Sequence, residues 1–248
     1  MDIHISLAAQ EVFRIGGLVV TNSMLTGIVA SSLLAVIMIL IGRSMSLSPK
    51  AGIRGVVDAV SDWLLSLIEE VTHDREKSIR FFPIVITIFF FVLINNWLGL
   101  FPGVGSIHVG DVPLFRGMTA DLNATLALAA ISVGMIHIYA VRELGIAAHA
   151  RTYFHKDPIL MFVGILEMLS DLSKAVSFAF RLFGNIFAGE VLLVVVAALA
   201  PLAAPLPFFL LEIFVGFVQA LVFSLLTVVF FGIATAHQSA HDITEITA

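Results

Sequence analysis

From Pro158 to Ala200 the chain runs 43 residues with few polar interruptions. After a Pro-rich break at Pro201, Pro205 and Pro207, a second apolar stretch covers Leu206 to Ala236. About 20 apolar residues in a helix cross a bilayer, so both stretches read as membrane-embedded helix. As one continuous helix the first would measure about 65 Å, against a hydrocarbon core of roughly 30 Å. It is therefore either steeply tilted or broken. Three shorter segments are also long and apolar enough to span: 23–41, 81–101 and 122–141. Helix is the expected form for all of them, because a lipid-exposed backbone must satisfy its own hydrogen bonds. The short alternating runs of a membrane β-barrel are not seen. The fold class is thus an all-α integral membrane protein: four or five spans in a single membrane domain covering 1–248, the last two (158–200 and 206–236) folded as a hairpin.

Composition agrees. Hydrophobic residues make up 59% of the chain and charged residues 12%, about half the charged fraction of soluble domains. Mean hydropathy is +1.06. With no cysteine, disulfides and thiolate sites are excluded. A net charge of −5 argues against nucleic acid, whose phosphates need a basic surface. No G-x-x-x-x-G-K-[ST] loop occurs, so no nucleotide site is expected on this chain.

Nine of the 13 Lys and Arg residues lie in two segments. Arg43, Lys50, Arg54, Arg75, Lys77 and Arg80 form one group, and Arg142, Arg151 and Lys156 the other. By the positive-inside rule both segments are cytoplasmic. The N-terminal segment 1–22 and the loop 102–120, with only Arg14 and Arg116, are then outside, and five spans put the C-terminus in the cytoplasm. Asp2 and Glu11 without a basic leader are unlike a secretory signal, and Leu7 to Val20 reads as a short interfacial segment. In 52–80, Ile53, Val56, Val57, Val60, Leu64, Leu67, Ile68 and Val71 recur at helical spacing. This describes either an amphipathic helix on the membrane surface or a solvated connector helix.

Ionisable residues inside apolar spans cost about 2.5–3.5 kcal/mol each on insertion scales, so they point to function. They concentrate in the last two stretches, as Glu167, Asp171, Lys174, Arg181, Glu190 and Glu212, with Gln219 beside them. Ser170, Lys174, Ser177, Arg181 and Asn185 follow steps of four, three, four and four, which is one helical stripe. The serines alone would suit helix–helix contacts, whereas Arg181 suits an ion pathway. If the two stretches form an antiparallel hairpin, residues at similar depth have constant number sums. Arg181 then falls near Gln219, and Glu190 near Glu212, nearer the outside. Two acids held together in low dielectric do not both ionise readily, which suits a proton relay. Asp121 and Asn123 open the third span on the outer side, and Ser170, Ser173, Glu167 and Asp171 lie toward the cytoplasm. Arg181 stays protonated and separates the two sets as a fixed positive barrier.

The run SDLSKAVSFAFRLFGNIFAGE (Ser170 to Glu190) resembles the signature of the a subunit of F-type ATP synthases. INNWLGLFPG (Ile94 to Gly103), TADLNATLALA (Thr119 to Ala129) and VQALVFSLLTVVFF (Val218 to Phe231) agree with it in order. The resemblance covers roughly residues 58–241. It implies a stator subunit of a rotary motor, providing two proton half-channels to and from a rotating c-ring, with a long tilted hairpin against that ring. It implies c-ring subunits, peripheral-stalk b-type subunits and the remainder of the complex as partners. The implied ion is H⁺ in preference to Na⁺, and no cofactor is implied. Arg181 matches the essential arginine, Asn185 and Gln219 the polar residues near it, and Glu190 the acid of the outer half-channel. Glu212 matches its exchange partner, Asp121 and Asn123 the outer DLN pattern, and Ser170, Ser173, Lys174 and Ser177 the inner face. A bacterial plasma (inner) membrane is the expected location.

Two other classes compete. A self-contained secondary transporter could bind an anionic substrate at Arg181, but such folds repeat their halves, and here the intramembrane charges lie in one half. A scaffold with a structural arginine pair is the other. His237 and His241 share a helical spacing that can hold a metal, but with Gln238 they read as a solvated tail. His137 and Tyr139 read as packing or interfacial groups.

Overall fold

The computed structural model describes residues 9–43, 53–101, 104, 107–110, 112–154, 157–200 and 204–246. A small hairpin comes first. β1 (Glu11–Ile15) pairs antiparallel with β2 (Leu18–Thr21), with Arg14 opposite Val19 and Ile15 opposite Leu18. Its turn is Gly16–Gly17, and Gly16 takes φ 63°, a left-handed value that costs glycine nothing and suits a two-residue hairpin. The segment expected at the interface is therefore a hairpin.

Helix α1 (Asn22–Arg43) follows without a break. Thr21 caps it, its hydroxyl accepting from the Met24 amide at 3.3 Å. The amphipathic pattern of 52–80 resolves into two elements. Helix α2 (Ile53–Thr72) buries Leu64 and Ile68 and leaves Val56, Trp63 and Val71 exposed. It ends at His73, whose φ of 52° takes the backbone out of helix. Asp74 then caps α3 (Arg75–Gly99), accepting from the amides of Glu76 at 2.9 Å and Lys77 at 3.2 Å. The second span thus begins in the charged segment, where the periodicity of Val56 to Val71 had been extended too far. Periodicity alone does not locate a cap.

A short ribbon, β3 (His108–Val109) with β4 (Val112–Pro113), and one 3-10 turn (Met118–Ala120) lead into α4 (Leu122–Leu144). Gly145, at φ 86°, separates α4 from an unexpected short helix α5 (Ile146–Tyr153). Helix α6 (Pro158–Leu199) starts with Pro at its first turn, where a missing amide proton is harmless. It runs unbroken for 42 residues, about 63 Å at 1.5 Å per residue. Of the two readings of the overlong stretch, the broken helix is ruled out. Helix α7 (Pro205–Ile246) returns beside it. The side chains of His237, Gln238 and His241 lie outside what the structure describes. Among the described residues, five helices are long and apolar enough to cross a membrane: Asn22–Leu40, Arg75–Gly99, Leu122–Glu143, Pro158–Leu199 and Pro205–Ala234.

Helix α7 is the middle of the packing, with α3 and α2 on one side and α6 and α4 on the other. The core runs from Leu64 and Ile68 through Val85 and Phe89 to Phe223 and Phe231, and across to Phe178, Leu182 and Ile136. Asn96 donates to the Gly216 carbonyl at 3.0 Å and Trp97 to that of Ile213 at 3.1 Å. Polar bonds between membrane helices average only about 0.6 kcal/mol, and without a hydrophobic drive in lipid, association rests on close packing. The aromatic layer therefore holds α3 to α7, and the two polar bonds set their register. Asn96 thus joins α3 to α7.

Candidate ion path

One face of α6 is left uncovered by the other described residues. Ser170, Ser173, Ser177, Arg181 and Asn185 are exposed on it, interleaved with exposed Leu172, Val176 and Phe180. The opposite face, with Phe178, Ala179, Leu182 and Phe183, is buried. A guanidinium in mid-helix on a broad apolar surface is a costly arrangement in lipid. Apolar exposure alone is what lipid contact requires, so it is the guanidinium and the polar stripe that set this face apart.

Lys174 leaves the stripe that its spacing assigned to it. Its Nζ donates to Asp171 Oδ1 at 2.7 Å, lies 3.9 Å from Glu167 Oε1, and sits 5.3 Å from the centre of the Phe230 ring. Tyr153 Oη donates to the other Asp171 oxygen at 2.7 Å, and His137 Nε2 is 3.9 Å from it. The rings of His137 and His149 are 5.4 Å apart. These groups line a cavity of about 30 Å³ between α4, α5, α6 and α7, room for about one water. Burial, and then the bond to Asp171, pushes the Tyr153 phenol well above its ordinary value, so it stays a donor at physiological pH. Burial and the neighbouring His137 push His149 below the usual imidazole value, against the opposing pull of Asp171. His137 is thus a cluster member as well as a packing group, while Tyr139 packs on Phe81 at 4.9 Å. Glu167 and Asp171 were legible as polar groups toward the cytoplasmic end, but their pairing with Lys174 was not. His149 and Tyr153 carried no sequence signal, because α5, which holds both, reaches the cluster only by folding back onto α6. A Cβ at Gly164 would collide with the Tyr153 carbonyl, so that crossing needs glycine.

The other end of the hairpin holds the second polar set. Glu212 is only 6% exposed, and its carboxyl lies directly over Gly189, where any Cβ would strike it. Glu212 therefore sits beside the residue preceding Glu190, in the register expected from the number sums. Gln219 is buried, and its Oε1 accepts from Asn185 Nδ2 at 2.8 Å. Its partner is Asn185, one turn beyond the expected Arg181. Its amide nitrogen has no hydrogen-bond partner among the described residues. Asp121 is buried and accepts from Ser23 Oγ at 2.6 Å and from the Asn123 amide at 3.0 Å. It caps α4 and ties that helix to α1, while the Asn123 side chain is exposed. Arg116, which the sequence offered only as a loop cation, is buried here with its Nε 3.6 Å from Glu190 Oε2.

Gly189→Ala should be poorly tolerated although alanine favours helix. The new methyl must displace the Glu212 carboxyl, and overpacking of this kind costs about 1–3 kcal/mol. We expect reduced incorporation of the chain into membranes, read by immunoblot, with Gly184→Ala as the control because nothing lies near its Cβ position. Equal levels of the two variants would contradict the close contact.

The sequence profile described as ATP synthase A chain matches residues 24–232. ATP synthase subunit a of Campylobacter jejuni subsp. doylei is 35% identical over 220 residues, covering 87% of this chain and 90% of that protein. Subunit a of Moorella thermoacetica is 29% identical over 89% of this chain and 93% of its own length. ATP synthase subunit a 2 of a Bradyrhizobium species is 32% identical over 92% and 95%. With a membrane hairpin carrying a lone arginine on its open face and acids toward both ends, and with a family match over most of its length, the chain belongs to the ATP synthase A chain family.

Proposed function

We propose that this chain is the stator subunit through which protons reach and leave a rotating c-ring, with the open face of α6 against the ring. The observation that carries the reading is Arg181, exposed in mid-span between two polar sets at opposite ends of one hairpin. The end with the β1–β2 hairpin and Arg116 faces outside, by the Lys and Arg asymmetry of the loops. Protons enter there past Glu190, Glu212, Asp121 and Asn123, with Asn185 and Gln219 leading toward Arg181. They leave toward the cytoplasm along Ser177, Ser173 and Ser170, with Lys174 held behind that face by Asp171. A ring carboxylate opposite Arg181 is favoured in its charged form, since an opposite charge within about 4–6 Å stabilises it. Facing lipid, the same acid is neutral. Arg181 thus strips a proton on one side and bars direct passage between the half-channels. The remaining partners are peripheral-stalk b-type subunits and the rest of the complex, in a bacterial inner membrane.

Cross-linking tests this reading. A cysteine at Phe180, exposed beside Arg181, should form an oxidative cross-link to cysteines on the outer helix of a small ring subunit, and the link should stop ATP-driven turnover. A chain that purifies without such a subunit and transports anions alone would favour the secondary-transporter reading instead.

A further inference from the structure

Arg116 lies in the loop between α3 and α4 and is only 7% exposed. Its backbone amide donates to Thr26 Oγ1 at 3.1 Å, which anchors the loop on α1. Its guanidinium carbon is 5.9 Å from the centre of the Phe187 ring, one turn of α6 before Glu190, and its Nε is 3.6 Å from the Glu190 carboxylate. A buried charge needs a paired charge, and at this distance the pair is ionic. Three elements thus meet around Gly189 and Glu190: the loop brings Arg116 to the Glu190 carboxylate, and α7 brings Glu212 against the neighbouring Gly189. Asp121, another acid at this end, is bound to Ser23 and to its own helix, and Glu11 is paired with Arg14. Helix α1 contributes Ser23 and Thr26, which do not titrate.

We propose that Arg116 is a positioning residue for proton uptake, and that it fixes the number of protons resting on the Glu190–Glu212 pair at one. This rests on the half-channel reading above. The charge balance is simple. With Arg116 positive, Glu190 ionised and Glu212 protonated, the group is neutral. Gaining or losing one proton leaves a net charge, which a low-dielectric site resists. Without Arg116, the neutral state holds a proton on each acid. The pair then gives up its first proton less readily, and uptake should saturate at higher pH. The cation thereby keeps one acid empty to receive the next proton.

The test is passive proton flux through membranes carrying the whole membrane sector, with pH varied on the side facing Glu190. Arg116→Gln should raise the pH of half-maximal flux by about one to three units, the usual effect of a close opposite charge. Arg116→Lys should restore most of the wild-type profile. Infrared difference spectra at pH 7, using Glu190→Gln as reference, should show one protonated carboxyl in wild type and a second in Arg116→Gln. An unshifted profile in an assembled Arg116→Gln complex, where Glu190→Gln does alter flux, overturns the proposal alone. If Glu190→Gln and Arg181→Ala both leave flux unchanged, the half-channel reading fails first. If Arg116→Gln does not assemble, Arg116→Gln/Glu190→Gln should, because it removes both halves of the ion pair. Failure of the double variant as well would reduce Arg116 to loop packing and overturn the proposal.

Discussion

Arg181→Ala should abolish ATP-driven acidification of inverted vesicles while the complex stays assembled. The residue is exposed on a face that the chain itself leaves open, so little internal packing depends on it. Its charge is what the mechanism uses. One elementary charge crossing 100 mV is worth about 2.3 kcal/mol, and that energy is captured only if protons cannot pass between the half-channels without the ring. A permanent cation between them raises the barrier to a bare proton and draws the ring acid into its ionised form. Alanine removes both effects. Arg181→Lys should also be poor, because an ammonium on a flexible stem lacks the planar fork of a guanidinium and can lose its proton when desolvated. Quenching of a pH-sensitive dye on ATP addition, compared at equal subunit content, gives the result. Wild-type pumping by Arg181→Ala would make the arginine structural and return the transporter reading to first place.

Glu190→Gln should slow passive proton flux by about a hundredfold, the low end for loss of a positioned acid–base group. Glutamine fills nearly the same space, so the contact of Glu212 with Gly189 should survive, but it cannot bind and release a proton. It also leaves Arg116 facing a neutral amide in place of its ion-pair partner, in the proposed uptake path. The two effects act in the same direction. Flux measured at several pH values after removal of the catalytic sector separates them from loss of assembly. Wild-type flux at every pH would remove Glu190 from the path.

The spans were legible because bilayer crossing is a local property: a run of apolar residues either is or is not long enough. The hairpin register was legible for a related reason. Two antiparallel helices of equal rise keep constant number sums, and Glu212 came against Gly189, the residue before Glu190, close to the expected register. Arg181 was found by its cost in lipid alone. The register error at Gln219 is one helical turn, which packing details decide. Asn185 takes its carbonyl because the two amides meet across α6 and α7. The end of α2 was missed because a single backbone torsion at His73, followed by the Asp74 cap, outweighs a continuing apolar period.

The sequence by itself determined an all-helical membrane chain, its polar hairpin and the identity of the charged residues within it, since these follow from composition and spacing along one helix. Only the tertiary structure decided which of those charges meet. Lys174 turned inward because Asp171 and Phe230 offered it a partner and a ring. Arg116 reached Glu190 because Thr26 holds its loop against α1. Spacing along one helix cannot rank partners supplied by other elements, and a charge in a low-dielectric medium is governed by whichever opposite charge the fold brings nearest.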